Sequence, residues 1–290
     1  MLKRISCLAL CLILISGISV QQVVAAGNEI DVSTAIVPPP VEIQDTELTA
    51  PALFVNGAVV KNSSLIYRND IPYVSLRFAS LAFCPDAIVT WTGEHAFISD
   101  DDLSVIVDPD LNYVIANDRY LYMPEGVIHE NGVLCVPVQI VAKIFDAEYS
   151  VDPISLDISL TGGSGPLIHA NEFYDKDDLY WLSHIIHAES GNQPLEGKIA
   201  VGNVVLNRVA DPIFPNSIYS VIHQKNQFSP VKNGTIKLTP NEESVLAAKL
   251  CLDGAVVLPT ALWFNSVKSN SWASRHKTYI TTIGGHAFYV

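Results

Sequence analysis

One stretch of this chain occurs twice. Tyr73-Val74-Ser75-Leu76-Arg77-Phe78-Ala79-Ser80-Leu81-Ala82-Phe83 aligns, 62 residues later, with Cys135-Val136-Pro137-Val138-Gln139-Ile140-Val141-Ala142-Lys143-Ile144-Phe145. Each copy reads as a short strand, then about ten residues of helical character, then an acidic turn at Asp86 or Asp146, then alternating strands over 87–91 or 147–151. The unit is β-turn-β-helix-β-β, used twice, and a repeat of this kind sets the architecture of the module that contains it.

The 290 residues suffice for about two domains. Residues 27–50 carry Pro38-Pro39-Pro40 among polar and acidic residues and read as a flexible lead-in. Gly162-Gly163-Ser164-Gly165-Pro166 marks a linker over 162–169. Two modules result, 51–161 and 170–290. Hydrophobic residues are 49% and charged residues 16%, which excludes a largely disordered chain and a coiled coil. The net charge of −13 excludes a general nucleic-acid binder, which needs basic groups for phosphates. That charge is unevenly held: residues 27–165 carry 20 acidic and 5 basic groups, residues 166–290 ten of each.

Lys3 and Arg4 precede an apolar run over 5–20, and Val23-Val24-Ala25-Ala26 ends in small residues. This reads as a secretory signal peptide, residues 1–26, cut after Ala26. The run is shorter than the ~20 residues of a spanning helix, so the expectation is a secreted protein with no stable membrane insertion. Three cysteines remain after cleavage, Cys84, Cys135 and Cys251. Their odd number and spacing argue against a disulfide framework or a zinc finger. A Cys84–Cys135 bridge and buried free thiols both stay open.

The duplicated region, about 53–161, resembles the copper amine oxidase-like N-terminal module of secreted Gram-positive proteins. The resemblance implies no copper, because His95 and His129 are isolated in the sequence.

The second module begins with helices. Asp175 caps a helix running to Ser190 and ended by Gly191; Pro194 precedes another over 195–210. Asn216 is placed as the cap of a short helix ending near Gln224. Thr239-Pro240-Asn241-Glu242 reads as a capping box opening a helix that Gly254 stops. Short β-prone stretches follow at 261–265, 278–283 and 287–290. In the first helix, Leu179, Leu182, Ile185 and Ile186 form an apolar stripe at helical spacing, and extending it by one step lands on Glu189. A carboxyl there meets desolvation and the negative end of the helix dipole, and both favour its protonated form. Such a group suits general acid catalysis.

His187-Ala188-Glu189-Ser190-Gly191-Asn192, the run 195–209, Phe214-Pro215-Asn216, Gln227-Phe228-Ser229, Leu262-Trp263-Phe264-Asn265 and Gly284-Gly285-His286-Ala287-Phe288 resemble the cell-wall hydrolase family of spore-cortex-lytic enzymes. The resemblance covers about 179–290. It implies a lysozyme-like, lytic-transglycosylase-like fold for this mainly helical domain with its small sheet, so that with the small duplicated β/α module before it the chain reads as α+β. It also implies action on peptidoglycan glycan strands, in spore cortex or wall. The family's catalytic glutamate falls on Glu189, which by analogy protonates the bond between N-acetylmuramic acid and N-acetylglucosamine. As carboxylate it then takes the proton of the muramic C6 hydroxyl, which closes a 1,6-anhydro ring. No cofactor is implied.

Ser190, Gln227, Phe228, Ser229, Trp263, Phe264 and Asn265 are the substrate-binding candidates, since sugars take aromatic faces together with amides and hydroxyls. Arg208 and Asn207 are read as locking the second helix in place. If Glu196 also lines the cleft, hydrolysis through a positioned water becomes the competing outcome. A zinc amidase using His184, His187 and Glu189 is a weaker alternative, as H-E-x-x-H is absent. A catalytically silent wall-binding protein is the other class. The acidic module, unsuited to an anionic wall, points to a protein partner or a spacer, with residues 170–290 carrying the chemistry.

Overall fold

The structure is a computed structural model that describes residues 50–163 and 165–290. The segment read as a signal peptide, residues 27–49 of the lead-in and Ser164 lie outside the described residues. The first module contains β1 (Leu53–Val55), β2 (Ala58–Val59), β3 (Ile66–Arg68), β4 (Ile71–Ser75), α1 (Leu76–Phe83), β5 (Ile88–Trp91) and β6 (Ala96–Asp100). It continues through β7 (Leu103–Val107), β8 (Tyr113–Ala116), β9 (Arg119–Tyr122), β10 (Ile128–Glu130), β11 (Val133–Pro137), α2 (Val138–Ile144), β12 (Glu148–Val151) and β13 (Ile158–Thr161).

The duplication explains how these pieces meet. β4 and β11, the same strand in the two copies, pair antiparallel with Val74 opposite Val136. Those valines are equivalent in the repeat, so the pairing is centred on a local twofold axis. Phe83 and Phe145, also equivalent, stack face to face with centroids 4.4 Å apart at 8°. Each copy buries its apolar face against the other, and Val74, Leu76, Val136, Val138 and Ile144 are almost wholly buried.

Around this axis the sheets run β10-β11-β4-β3, β12-β13-β1-β2 and a meander β5-β6-β7-β8-β9. β1 joins β13 in parallel, Leu53 opposite Ile158, and so closes the start of the module on its end. Asn117-Asp118 and Asn131-Gly132 take left-handed backbone at both positions, which matches the right-handed twist of the hairpins they turn.

The second module contains α3 (Ala170–Phe173), α4 (Lys176–Ser190), α5 (Leu195–Ala210), α6 (Ile218–Ile222), α7 (Ser229–Asn233), α8 (Glu242–Leu252), β14 (Trp263–Ser266), α9 (Trp272–His276), β15 (Tyr279–Ile283) and β16 (His286–Tyr289). α4 packs against α5, α6 and α8. Leu182, Ile185 and Ile186 of α4 meet Ile199, Val204, Ala247, Ala248 and Cys251, all buried. α5 and α8 approach closely at Gly202, where an added Cβ would lie 2.6 Å from Cys251 Sγ. The strands form one sheet, β14-β16-β15. Among the described residues no helix is long and apolar enough to cross a membrane.

Several local expectations shift. The short helix α6 is capped by Ser217, whose Oγ accepts the Ser220 amide at 3.2 Å, rather than by Asn216. α8 is capped by Asn241 rather than by Thr239: its Oδ1 accepts the Ser244 amide at 2.9 Å. An Asn carbonyl one residue before the helix reaches that amide as a Ser or Thr hydroxyl would. Gly191 does end α4, but in right-handed backbone. What it supplies is space, since a Cβ there would meet the His187 carbonyl oxygen at 2.6 Å and Nδ1 at 2.9 Å. Cys84, Cys135 and Cys251 are free thiols.

The described residues, from Ala50 to Val290, form one compact unit, and the seam between its two modules is built on Asp253. This side chain has no exposed surface and accepts Arg119 Nε at 2.9 Å and Nη2 at 2.7 Å. It also accepts the Tyr120 amide at 3.1 Å and the Tyr174 hydroxyl. Lys143 donates to the Asp253 carbonyl at 3.2 Å. Tyr113, Tyr120 and Tyr122 pack against the core of the second module. The expected linker ends anchored, with Leu167 buried and its carbonyl held by Asn117 Nδ2 at 2.9 Å.

Arg119→Ala leaves Asp253 buried without its cation. It is expected to cost about 3–5 kcal/mol, measured by chemical denaturation of the full chain. A loss below about 1 kcal/mol would mean that the pair does not hold the modules together.

Candidate active site

Glu189 stands in the last turn of α4, one helical step beyond Ile185 and Ile186, which are fully buried. The stripe that fastens α4 to the core therefore carries the carboxyl to the edge of that core. There it opens on a cleft of about 670 Å³. Burial raises the Glu189 pKa from 4.5 to about 7. Desolvation disfavours the carboxylate, so the group is about half protonated near neutral pH.

The loop after α4 is fixed by its neighbours. Buried Lys198 on α5 donates to the Gln193 carbonyl and pairs with Glu243 at the start of α8. Gln193 Oε1 accepts the Gly285 amide at 2.7 Å, and a Cβ on Gly284 would meet the same oxygen at 2.4 Å. Gly284, at φ +57°, thus turns the β15–β16 hairpin tightly against the loop. The next residue, His286, lines the cleft.

Gln227, Phe228, Ser229, Phe264 and Asn265 all line the cleft with Glu189. Gln227 is held by Arg208 Nη1 at 3.1 Å, and Asn265 Oδ1 accepts Ser271 Oγ at 2.6 Å. Two of the expected binding residues do not line it. Ser190 is fully buried, and its hydroxyl is spent on the Ile186 carbonyl at 2.7 Å. Trp263 projects to the other face of β14, where it packs with Ala273, Ala287 and Tyr289. Alternation along a strand sends Phe264 and its neighbour to opposite faces.

Asn207 locks α5 as expected, donating to Leu258 and Ala261 carbonyls at 2.9 and 3.0 Å. Arg208 locks α5 through the Leu262 carbonyl at 2.7 Å and lines the cleft as well; burial lowers its pKa to about 10. Glu196 lies elsewhere, on a surface shared with Pro194, Val257 and Thr281. Among the described residues lining the cleft Glu189 is the sole carboxylate, and the cleft also presents Arg208, Lys225 and Lys232.

Sequence reasoning passed over Gln224, Lys225, Asn226 and Lys232, which come from the turn after α6 and from α7. Two cleft atoms are buried without a hydrogen-bond partner among the described residues, Gln224 Oε1 and His286 Nδ1. Burial also lowers the His286 pKa. Buried polar atoms left unpaired are costly and mark where a polar ligand gains most. A metal arrangement on α4 finds its histidines engaged: His184 Nδ1 sits 2.7 Å from the Ile236 carbonyl, and His187 Nδ1 accepts the Asn241 amide at 3.4 Å. Among the described residues no group of three or more His, Cys, Asp or Glu side chains is placed to hold a metal ion.

Residues 192–289 match the family described as Cell Wall Hydrolase. The C-terminal part of this chain belongs to the cell wall hydrolase family. Residues 54–160 match the copper amine oxidase N-terminal domain. The chain is 30% identical over 129 residues to the spore cortex-lytic enzyme of Oceanobacillus iheyensis, covering 44% of this chain and 46% of that protein. It is 34% identical over 116 residues to that of Bacillus cereus, covering 40% of this chain and 45% of the relative. The chain thus spans less than half the length of these relatives. It is also similar to the solved catalytic domain of the germination-specific lytic transglycosylase SleB from Bacillus anthracis. That match is 31% identical, covers 40% of this chain and 97% of that one, and has a TM-score of 0.38. The family match begins three residues past Glu189, so the case for this carboxyl is made by the cleft itself.

The raised Glu189 pKa has a stability consequence. The folded chain holds this proton more tightly than the unfolded chain does. That contribution is fully present below the unfolded value of 4.5 and is lost as pH rises through about 7. Glu189→Gln has no such proton to lose. Its melting temperature, relative to that of the unsubstituted chain, should rise between about pH 5 and about pH 8. A difference constant across that range would mean that the carboxyl titrates as an exposed one.

Proposed function

We propose that this chain is a secreted peptidoglycan-lytic enzyme that breaks the bond between N-acetylmuramic acid and N-acetylglucosamine by lytic transglycosylation. The observation that carries the reading is a buried carboxyl of pKa about 7 with no second carboxylate beside it in the cleft among the described residues. Hydrolytic glycosidases ordinarily use two. With Glu196 outside the cleft, the hydrolytic alternative lacks its second group.

Glu189 in its protonated form donates to the glycosidic oxygen as the muramic C1–O bond breaks. The muramic C6 hydroxyl adds to C1, and its proton passes to the Glu189 carboxylate. One carboxyl serves as acid and then base, is restored at the end, and no water is consumed. Gln227, Ser229 and Asn265 supply hydrogen bonds to the sugars, and Phe228 and Phe264 supply apolar wall. Gln224 Oε1 and His286 Nδ1 find their missing partners among amide and hydroxyl groups of the glycan. Arg208, Lys225 and Lys232 make the cleft cationic in a protein of net charge −13, which suits the carboxylates of wall peptides. The named relatives favour spore cortex as the natural substrate. The acidic N-terminal module is the face offered to a protein partner.

Glu189→Gln is expected to lower glycan cleavage by about 10²–10⁴-fold with the fold intact. In the unsubstituted chain turnover should fall above about pH 7, where the acid form runs out. Mass spectrometry of fragments released from purified cortex or wall should find 1,6-anhydro-muramic ends. Reducing ends, heavier by one water, would overturn the transglycosylase assignment. Undiminished release by Glu189→Gln would overturn the role of Glu189.

A further inference from the structure

The cleft does not end at the residues that hold its deepest part. His223, on its wall, is also the last member of a row of aromatic rings that leaves the cleft along α6 and α4. Tyr219 stacks on His223 with centroids 4.0 Å apart at 25°, and Trp181 meets both, at 5.2 and 4.8 Å. Tyr180 follows at 5.0 Å from Trp181. The row is fixed at each end: His223 Nδ1 lies 2.9 Å from the Tyr219 carbonyl, and Tyr180 lies 4.0 Å from the ring of buried His184. Tyr219 is 50% exposed and Tyr180 47% exposed.

Trp181 packs against the core of the second module, whereas Tyr219 and Tyr180 lie outside that cluster. Leu182, Val221 and Ile222, all fully buried, already join the two helices. Half-exposed tyrosines held by their neighbours cost little conformational entropy on binding, and they present an apolar face beside a hydroxyl. That combination fits the C–H face and hydroxyls of a sugar ring better than it fits an apolar peptide. Trp181 and Glu189 share α4, eight residues and therefore about 12 Å apart along its axis. A strand gripped at Glu189 and leaving past His223 would meet the rings next.

We propose that Tyr219, Trp181 and Tyr180 form a remote glycan platform, which binds sugar rings of the same strand beyond the bond being cut. The proposal rests on the glycan-cleaving reading of the cleft. It gives the enzyme a preference for long strands, because a short fragment fills the cleft without reaching the rings.

The test uses the full chain carrying Glu189→Gln, titrated with peptidoglycan glycan fragments of two sizes, one confined to the cleft and one long enough to pass His223. The longer fragment should bind about five- to tenfold more tightly, about 1–1.4 kcal/mol. Adding Tyr219→Ala should remove that gain, and Tyr219→Trp should restore it, with melting temperatures unchanged. Trp181 fluorescence should respond to the longer fragment and not to the shorter, and the response should vanish in Trp181→Phe. On the active chain, Tyr219→Ala should raise KM for long strands far more than it lowers kcat. If the active chain cleaves walls and Tyr219→Ala keeps the full length-dependent gain, the platform alone is overturned. A chain that neither binds nor cleaves any glycan overturns the platform together with the reading of the cleft.

Discussion

The desolvation of one carboxyl organises the second half of this molecule. Glu189 can be buried only because α4 is held on three sides, by α5, α6 and α8. Its apolar stripe leaves no freedom to rotate the last turn toward water. The same packing brings the β15–β16 hairpin down on Gln193 and presents His286 across the cleft. A looser α4 would let water reach the carboxyl and return it to the ordinary acid range. The protonation of Glu189 and the packing of its helix are here one property.

The seam at Asp253 extends that dependence to the first module. Asp253 follows α8, and α8 is one of the walls that hold α4. Its carboxylate is satisfied by Arg119, Tyr120 and Tyr174, the first two from β9 of the duplicated module. The module whose sequence suggested a tethered accessory is packed into the body that carries the cleft. None of its acidic residues lines the cleft, whose Arg208, Lys225 and Lys232 all belong to the second module.

Much of this was legible in the chain. The repeat marked out two equivalent strand-helix units, but their pairing at Val74 and Val136 is a long-range contact that only the fold shows. The stripe from Leu182 to Ile186 led to Glu189 because helical periodicity is conserved by the backbone itself. What stayed hidden depends on long-range closure. Ser190 adjoins Glu189 in sequence, but 100° of helix turn carries it into the core. Trp263 adjoins Phe264, but the strand alternates. Gln224 and Lys225 enter the cleft through an irregular turn, and Lys232 from the five-residue α7, too short to show a period. The unpaired atoms of Gln224 and His286 exist only once both segments are folded together.

The most direct check on this account is titration of the Glu189 carboxyl itself, followed by carbon NMR of the full chain selectively labelled at glutamate and assigned with Glu189→Gln. The account requires one glutamate resonance with a midpoint near 7, moving when a glycan fragment occupies the cleft. A Glu189 midpoint near the ordinary 4.5 would contradict it, because a carboxyl already ionised at neutral pH has no proton to give.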